Sequence, residues 1–383
     1  MRNIYIAGVG LTPVGEHWET SLRELALQAV LAAQQDQQIQ AGSLAPRPEA
    51  LFVGNMLAGE LSGQAHLGAL VADYAGLRGI EAATVEAAGA SGGAALRQAV
   101  LAVGSGAIDT ALVVGVEKMT DKVGSGVTAA TATASDSDWE AAQGLTPTGL
   151  AALLMRRYMH ENGVELKDFA AFSVNAHTNA RTNPNAMFQN ALAAEAYVRA
   201  GMVSEPVNMF DTAPDGDGAA ALIVTCEPSV VRVAASAVAT DTLAVHDRGD
   251  VLAFEAARLS AERAYQRAGI KPAAVNVFEL HDAYTVFAAL SLEAAGFAEH
   301  GQGWRLAPSE ISRTGRIPIS TFGGLKARGN PGGATGIYQA AEVALQLRWT
   351  AGPNQVENAH WGMAQCLGGA GATAVTHIFE RAG

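Results

Sequence analysis

The run VEAAGASGG (residues 85–93) joins a strand end, a turn of small side chains and the start of a helix. The unpaired N–H groups of such a start carry roughly half an elementary charge between them and welcome an anion or oxyanion. Enzymes seat nucleophiles at junctions of this kind. Here Gly89 offers no side chain, and Ser91 is the nearest hydroxyl. A helix start needs a cap and serine is a common one, so capping is the first reading of Ser91 and catalysis the second. Cys226 and Cys366 are the only cysteines. They are too far apart in sequence for a disulfide framework or a metal knuckle, and no metal is expected. Cys226 sits in the strand-like LIVTCE and reads as core. His281, after a buried apolar run, fits a structural histidine when taken alone. Asn330 fits a cap for the helix after Pro331 as well as a hydrogen-bond donor.

Something must position these residues, and internal repetition says what. The segment FEAARLSAERAYQRAGIKPAAVNVFELHDAY (254–284) reads as a helix, a Gly269–Pro272 stop and a buried strand. The beginning of the chain follows the same plan: SLRELALQAVLAAQQ (21–35) is the helix, AGSLAPRPE (41–49) the connection and ALFVGNML (50–57) the strand. A second pair, DGDGAAALIVTCE (215–227) and LGGAGATAVTHIFE (367–380), gives a Gly-rich turn leading into an alternating strand in each copy. The spacing therefore predicts two copies of one α/β unit, residues 1–230 and 231–383. Between about 119 and 206 the periodicity lapses and then resumes with the helix LAALLMRRYMHENG. An excursion of that length is an insertion of the kind that covers a site.

Composition bounds the function. The chain has 383 residues, 49% hydrophobic and 16% charged, with 42 glycines, so its surface is small for its interior and a large or oligomeric protein is expected. A formal net charge of −12 argues against an extended nucleic-acid footprint. The opening MRNIYIAGVG has no basic region followed by a long apolar run, and no long apolar segment follows elsewhere. A cytoplasmic protein without a membrane span is the expectation.

Four segments in this order, VEAAGASGGAAL, HDAYTVF (281–287), GGLKARGNPGGATG (323–336) and CLGGAGATAV (366–375), give the chain its resemblance to the thiolase superfamily, most like the archaeal and sterol-carrier-protein branches. The whole chain is covered. The resemblance implies an α/β, duplicated five-layer αβαβα fold with an inserted loop domain. It also implies carbon–carbon chemistry beside a coenzyme A thioester, in a homodimer or homotetramer, with the thioester as substrate and no covalently bound cofactor. In that family the first segment reads E-x-A-C-A-S-G-G and the third contains G-H-P; this chain has Gly89 and Asn330 at those two positions. Both groups of the covalent step are gone, so the ordinary acyl-enzyme cycle is expected to be disabled.

What the resemblance leaves is a changed site. Cys366 falls on the family's second cysteine, the proton carrier, and Gly368 on a glycine whose N–H completes an oxyanion hole. Gly89 keeps its own N–H, His281 falls at a second oxyanion hole, and Asn330 can donate but not shuttle. Tyr284 replaces a Phe, and its hydroxyl reaches substrate or its ring packs in the core. Arg181, with Arg156 and Arg157, lies in the insertion where the family binds coenzyme A. The implied activities are an acyltransferase or carbon–carbon lyase on an acyl-CoA, or a retro-aldolase working with a zinc-ribbon/OB-fold protein. A non-catalytic acyl-CoA-binding subunit is the other class.

Overall fold

A computed structural model describes residues 2–42 and 46–382; the middle of the predicted 41–49 connection lies outside them. Strand β1 (Tyr5–Leu11) leads to α1 (Leu22–Ala41), whose start is set by a capping box between Ser21 and Glu24 and whose end is a left-handed Gly42. Then come β2 (Ala50–Gly54), the short α2 (Ala58–Leu61), α3 (Leu67–Tyr74), β3 (Glu81–Val85), α4 (Ser91–Ser105) and β4 (Thr110–Glu117). The insertion supplies α5 (Gly124–Ala132), α6 (Pro147–Asn162), α7 (Ala170–Ala180), α8 (Ala194–Val198) and the small antiparallel pair β5 (Met202–Ser204) and β6 (Val207–Asn208). After β7 (Gly218–Thr225) the plan restarts with β8 (Val231–Thr240), α9 (Glu255–Ala268), β9 (Val277–Glu279) and α10 (Thr285–Ala294). It closes with α11 (Pro308–Ile311), α12 (Thr335–Arg348), β10 (Trp361–Gly368) and β11 (Thr373–Arg381).

The nine-stranded sheet has the order β3-β2-β4-β7-β1-β8-β11-β10-β9. Its halves mirror one another about the β1–β8 seam, where the register pairs Tyr5 with Arg232 and Ile6 with Val231 and the Val233 N–H donates to the Ile4 carbonyl at 2.8 Å. In each half a parallel partner follows the two antiparallel strands nearest the seam: β4 with β2, and β10 with β9. The counterpart of β3 is reduced to one parallel bridge, Phe278↔Ile319. Helix α1 covers β1 and β7, α9 covers β8 and β11, and α4 and α12 pack on each other between the halves. The result is helix, sheet, helix pair, sheet, helix, the five-layer arrangement that the resemblance implies.

The middle layer explains the glycines. A methyl group added at Gly92 would stand 2.8 Å from the Gly333 carbonyl oxygen, and one at Gly336 would stand 2.3 Å from the Gly93 nitrogen. Only hydrogen at Cα lets the starts of α4 and α12 approach this closely.

Candidate functional site

After β3 the chain makes a 3₁₀ turn over Ala88–Ala90 before entering α4. Ala88 has φ +51°, a left-handed conformation that a side chain resists. Three hydrogen bonds hold it there. Glu86 Oε1 accepts from the Ala88 N–H at 2.5 Å, Ser91 Oγ donates to the Ala88 carbonyl at 2.6 Å, and Ser91 Oγ accepts from the Ala87 N–H at 2.9 Å. The expected cap is thus corrected: Ser91 is the first residue of α4, buried, and its hydroxyl points back to brace the turn instead of capping the helix.

This brace presents Gly89 to a cavity of about 250 Å³. A Cβ on Gly89 would lie 2.7 Å from the Leu367 carbonyl oxygen and 3.3 Å from His281 Cε1. Reciprocally, a Cβ on Gly368 would lie 2.5 Å from the Ala87 carbonyl oxygen. The first and fourth segments therefore meet backbone to backbone, and the second delivers His281 onto the same spot. Burial pushes the His281 imidazole down to about 3, helped by the Arg328 charge, so it is neutral at physiological pH. Its Nδ1 is buried with no partner among the described residues.

Tyr284 and Asn330 also line the cavity, and the structure brings both to Gly89 and His281 as expected. Tyr284 packs edge-on against Phe287, as the packing reading expected, and its hydroxyl pairs with Thr148 of α6 at 3.1 Å on the cavity wall. Burial pushes its phenol up to about 12. The predicted cap at Asn330 is absent, since α12 starts at Thr335. Asn330 Oδ1 instead accepts from Thr335 Oγ1 at 3.1 Å, which commits the oxygen and leaves the amide hydrogens as the available donors. Insertion residues Thr128, Thr131, Thr146 and Val203 complete the wall.

Other sequence candidates stand apart from the cavity wall. Cys366 is buried with Sγ 3.8 Å from the Ala90 and Val375 carbonyl oxygens, among Gly93, Gly336 and Val375, and does not line the cavity. Desolvation pushes its thiol up to about 12. Along β10 successive residues face opposite sides, so the element reaches the cavity through Leu367 and the following Gly369, while the cysteine faces the core. Gly368 is buried at the end of β10, and its contribution is close backbone approach. Arg181 is exposed just past α7 and is not in the lining. Cys226 follows the last residue of β7, half-buried with Sγ 3.7 Å from Asp109 Oδ1; it packs against the core's margin and is not fully buried as expected.

Sequence reasoning missed the strap DTAPDGD (211–217), which runs between the second and third segments. Ala213 N donates to Ala283 O at 2.8 Å, Asn330 N to Pro214 O at 2.9 Å, and Gly216 N to Asn330 O at 3.3 Å. Its first and last carboxylates are fully engaged. Asp211 accepts from the Asn208 N–H at 2.8 Å and from the Tyr197 and Thr285 hydroxyls. Asp217 accepts from Lys118 Nζ at 2.7 Å, the Met119 N–H at 2.7 Å and the Thr120 N–H at 2.9 Å. Asp215 lines the cavity and has no hydrogen-bond or ion-pair partner among the described residues. Three acidic residues in seven were visible, but spacing does not say which one is free.

Beneath the site, Arg328 Nη1 donates to Glu342 at 2.8 Å with both side chains buried, and the guanidinium stacks on Tyr338 at 4.9 Å. This pair ties the π-helical turn Gly324–Arg328 to α12 and so fixes the loop that carries Asn330. Among the described residues no cluster of three or more His, Cys, Asp or Glu could hold a metal, and no helix is long and apolar enough to cross a membrane.

Comparison with known proteins places this geometry. Residues 4–227 match the family description "Thiolase, N-terminal domain" and residues 237–381 match "Thiolase C-terminal domain-like". The chain is 43% identical to an acetyl-CoA acetyltransferase of Methanothermobacter thermautotrophicus over 100% of both chains. It is 32% identical to the benzoylsuccinyl-CoA thiolase subunit BbsB of Thauera aromatica, over 93% of this chain and 92% of the other. Among solved structures it superposes on the Ltp2-ChsH2(DUF35) aldolase with a TM-score of 0.83 and 24% identity, covering 99% of this chain and 98% of that one.

Proposed function

The chain belongs to the thiolase family, and from that premise we propose that it makes or breaks a carbon–carbon bond beside the carbonyl of a coenzyme A thioester without an acyl-enzyme. The observation that carries the reading is Gly89: the helix-start position that faces both the cavity and His281 has no side chain to acylate. What it retains is electrostatic. A thioester oxygen becoming an enolate can take hydrogen bonds from the Gly89 N–H, from the neutral His281 imidazole and from the Asn330 amide. One preorganised donor of this kind contributes about 3–4 kcal/mol to a transition state. Neutral His281 suits the task, because a donor held below its usual pKa polarises without giving up a proton.

The cavity, about 250 Å³, falls below the size typical for drug-sized ligands and suits the acyl and thioester end, with the rest of coenzyme A leaving over the insertion. The same reading takes the thioester as substrate with no resident cofactor. It takes the protein as a cytoplasmic homodimer or homotetramer, assisted in the aldol-type case by a zinc-ribbon/OB-fold subunit. The structural similarity to the Ltp2-ChsH2(DUF35) aldolase supports that last choice. The missing nucleophile favours one second reading, an acyl-CoA-binding subunit without turnover of its own.

Purified protein, alone and with any zinc-ribbon/OB-fold protein encoded beside it, should be incubated with matched 3-oxoacyl and 3-hydroxyacyl thioesters. Products from the 3-hydroxyacyl set with no acylated peptide by mass spectrometry are expected. A substrate-derived acyl group on Ser91 or Cys226 overturns the proposal, and binding by calorimetry without any product selects the second reading.

A further inference from the structure

The carbon–carbon reading lacks a group to move the proton, and the cavity wall limits the choices. Cys366 lies behind the wall with its thiol held neutral. Neutral His281 has too weak a basicity to take a proton from a substrate at neutral pH, and the Tyr284 phenol stays protonated. Asp215 is the one residue of the lining that carries a formal charge; no Lys, Arg or Glu lines the cavity. Its backbone is fixed on both sides. The strap bridges Thr212 to Tyr284 and Asp215 to Asn330, and Lys326 Nζ holds the Asp211 carbonyl at 2.6 Å. Asp215 is thus exposed at the cavity on a rigidly mounted strap, with no partner among the described residues to compete with a bound substrate.

We propose that Asp215 is the acid/base of this site, a role that rests on the carbon–carbon reading above. In the cleavage direction its carboxylate takes the proton from the hydroxyl on C3 of a 3-hydroxyacyl thioester. The C2–C3 bond breaks, its electron pair passes into the thioester as an enolate, and C3 becomes the carbonyl carbon of a released ketone or aldehyde. Asp215 then returns the same proton to C2, giving the shortened acyl thioester. Atoms and electrons balance with no further reactant, and the reverse sequence is the aldol addition.

Asp215 is exposed at the cavity, and desolvation by the surrounding protein raises its carboxyl to about 6. The basic form therefore dominates at neutral pH while the acid form remains within reach.

The test uses the full chain and Asp215→Asn, with Asp215→Ala as a second variant, followed by product formation across pH, by deuterium uptake at C2 of the shorter acyl-CoA in heavy water, and by thermal melting. Both variants should lose about 10²–10⁴-fold in kcat/KM and the deuterium exchange. The wild type should show an acid limb near pH 6. Acyl-CoA binding should stay within about threefold, well inside the tenfold that 1.4 kcal/mol represents, and Asp215→Asn should melt no lower than wild type at pH 8. Wild-type turnover with undiminished Asp215→Asn removes the assignment and leaves the carbon–carbon reading standing. A wild type that binds acyl-CoA yet neither turns over nor exchanges removes both. Loss of activity together with a lower melting temperature in both variants assigns Asp215 to structure and also sinks the proposal.

Discussion

Gly89 meets two demands with one missing side chain, since the site needs an open approach to its N–H and the fold needs room for the Leu367 carbonyl. A methyl at that position stands 2.7 Å from this oxygen, closer than side-chain carbons tolerate. Gly89→Ala should cost about 1–3 kcal/mol, the usual toll of overpacking, and should lower acyl-CoA affinity in the same protein, measured by melting and calorimetry. Unchanged stability would show that the turn yields more easily than its three bracing hydrogen bonds suggest. Cys366 gives a second outcome. With its thiol raised to about 12 and its sulfur packed in the core, it should resist iodoacetamide in the native state, whereas half-buried Cys226 should be labelled first. Peptide mapping decides it, and rapid native labelling of Cys366 would return that residue to the cavity.

Elements decide how well such residues are held. The buried Arg328–Glu342 pair locks the loop before α12, and Arg328 Nε and Nη2 already lack partners among the described residues. Glu342→Ala would strand a buried guanidinium, so a loss of about 3–5 kcal/mol is expected in denaturant titration. A shift below 1 kcal/mol would mean that water reaches Arg328 readily. Most elements were legible because their signals are local: the helix begun at residues 21–22, the Gly269 stop and the strands β7 and β11 stand where sequence put them, although β7 is buried throughout instead of alternating. The site was legible where motifs fixed chain positions, as at Gly89, His281, Tyr284 and Asn330. It was illegible where direction mattered. Strand alternation turned Cys366 inward, Ser91 folded back on a strained turn, and Asp215 was distinguished from Asp211 and Asp217 only by partners remote in sequence.

At the scale of the whole molecule, the site's titration couples to folding. Asp215 has a folded pKa near 6, above its ordinary value of 3.8, so it binds its proton more tightly folded than unfolded. Any stabilisation it gives is therefore present below pH 4 and is lost as pH rises through 6. Asp215→Asn should raise the melting temperature relative to wild type at pH 8, with the difference fading as pH falls toward 4; a pH-independent difference would sever stability from this titration. The cavity itself joins Met56 and Gly89 from before the β1–β8 seam's second strand to His281, Asn330 and Leu367 from after it. A bound thioester is thus a rivet through two plates that covalently meet at the exposed turn Glu227–Pro228. A protease nick there should leave the pieces clasped while ligand is abundant, since occupancy at a hundred times Kd adds about 2.7 kcal/mol. After ligand dilution the nicked pieces should stay joined through the continuous sheet and the α4–α12 layer but melt at a lower temperature, and that drop measures what the ligand adds across the seam.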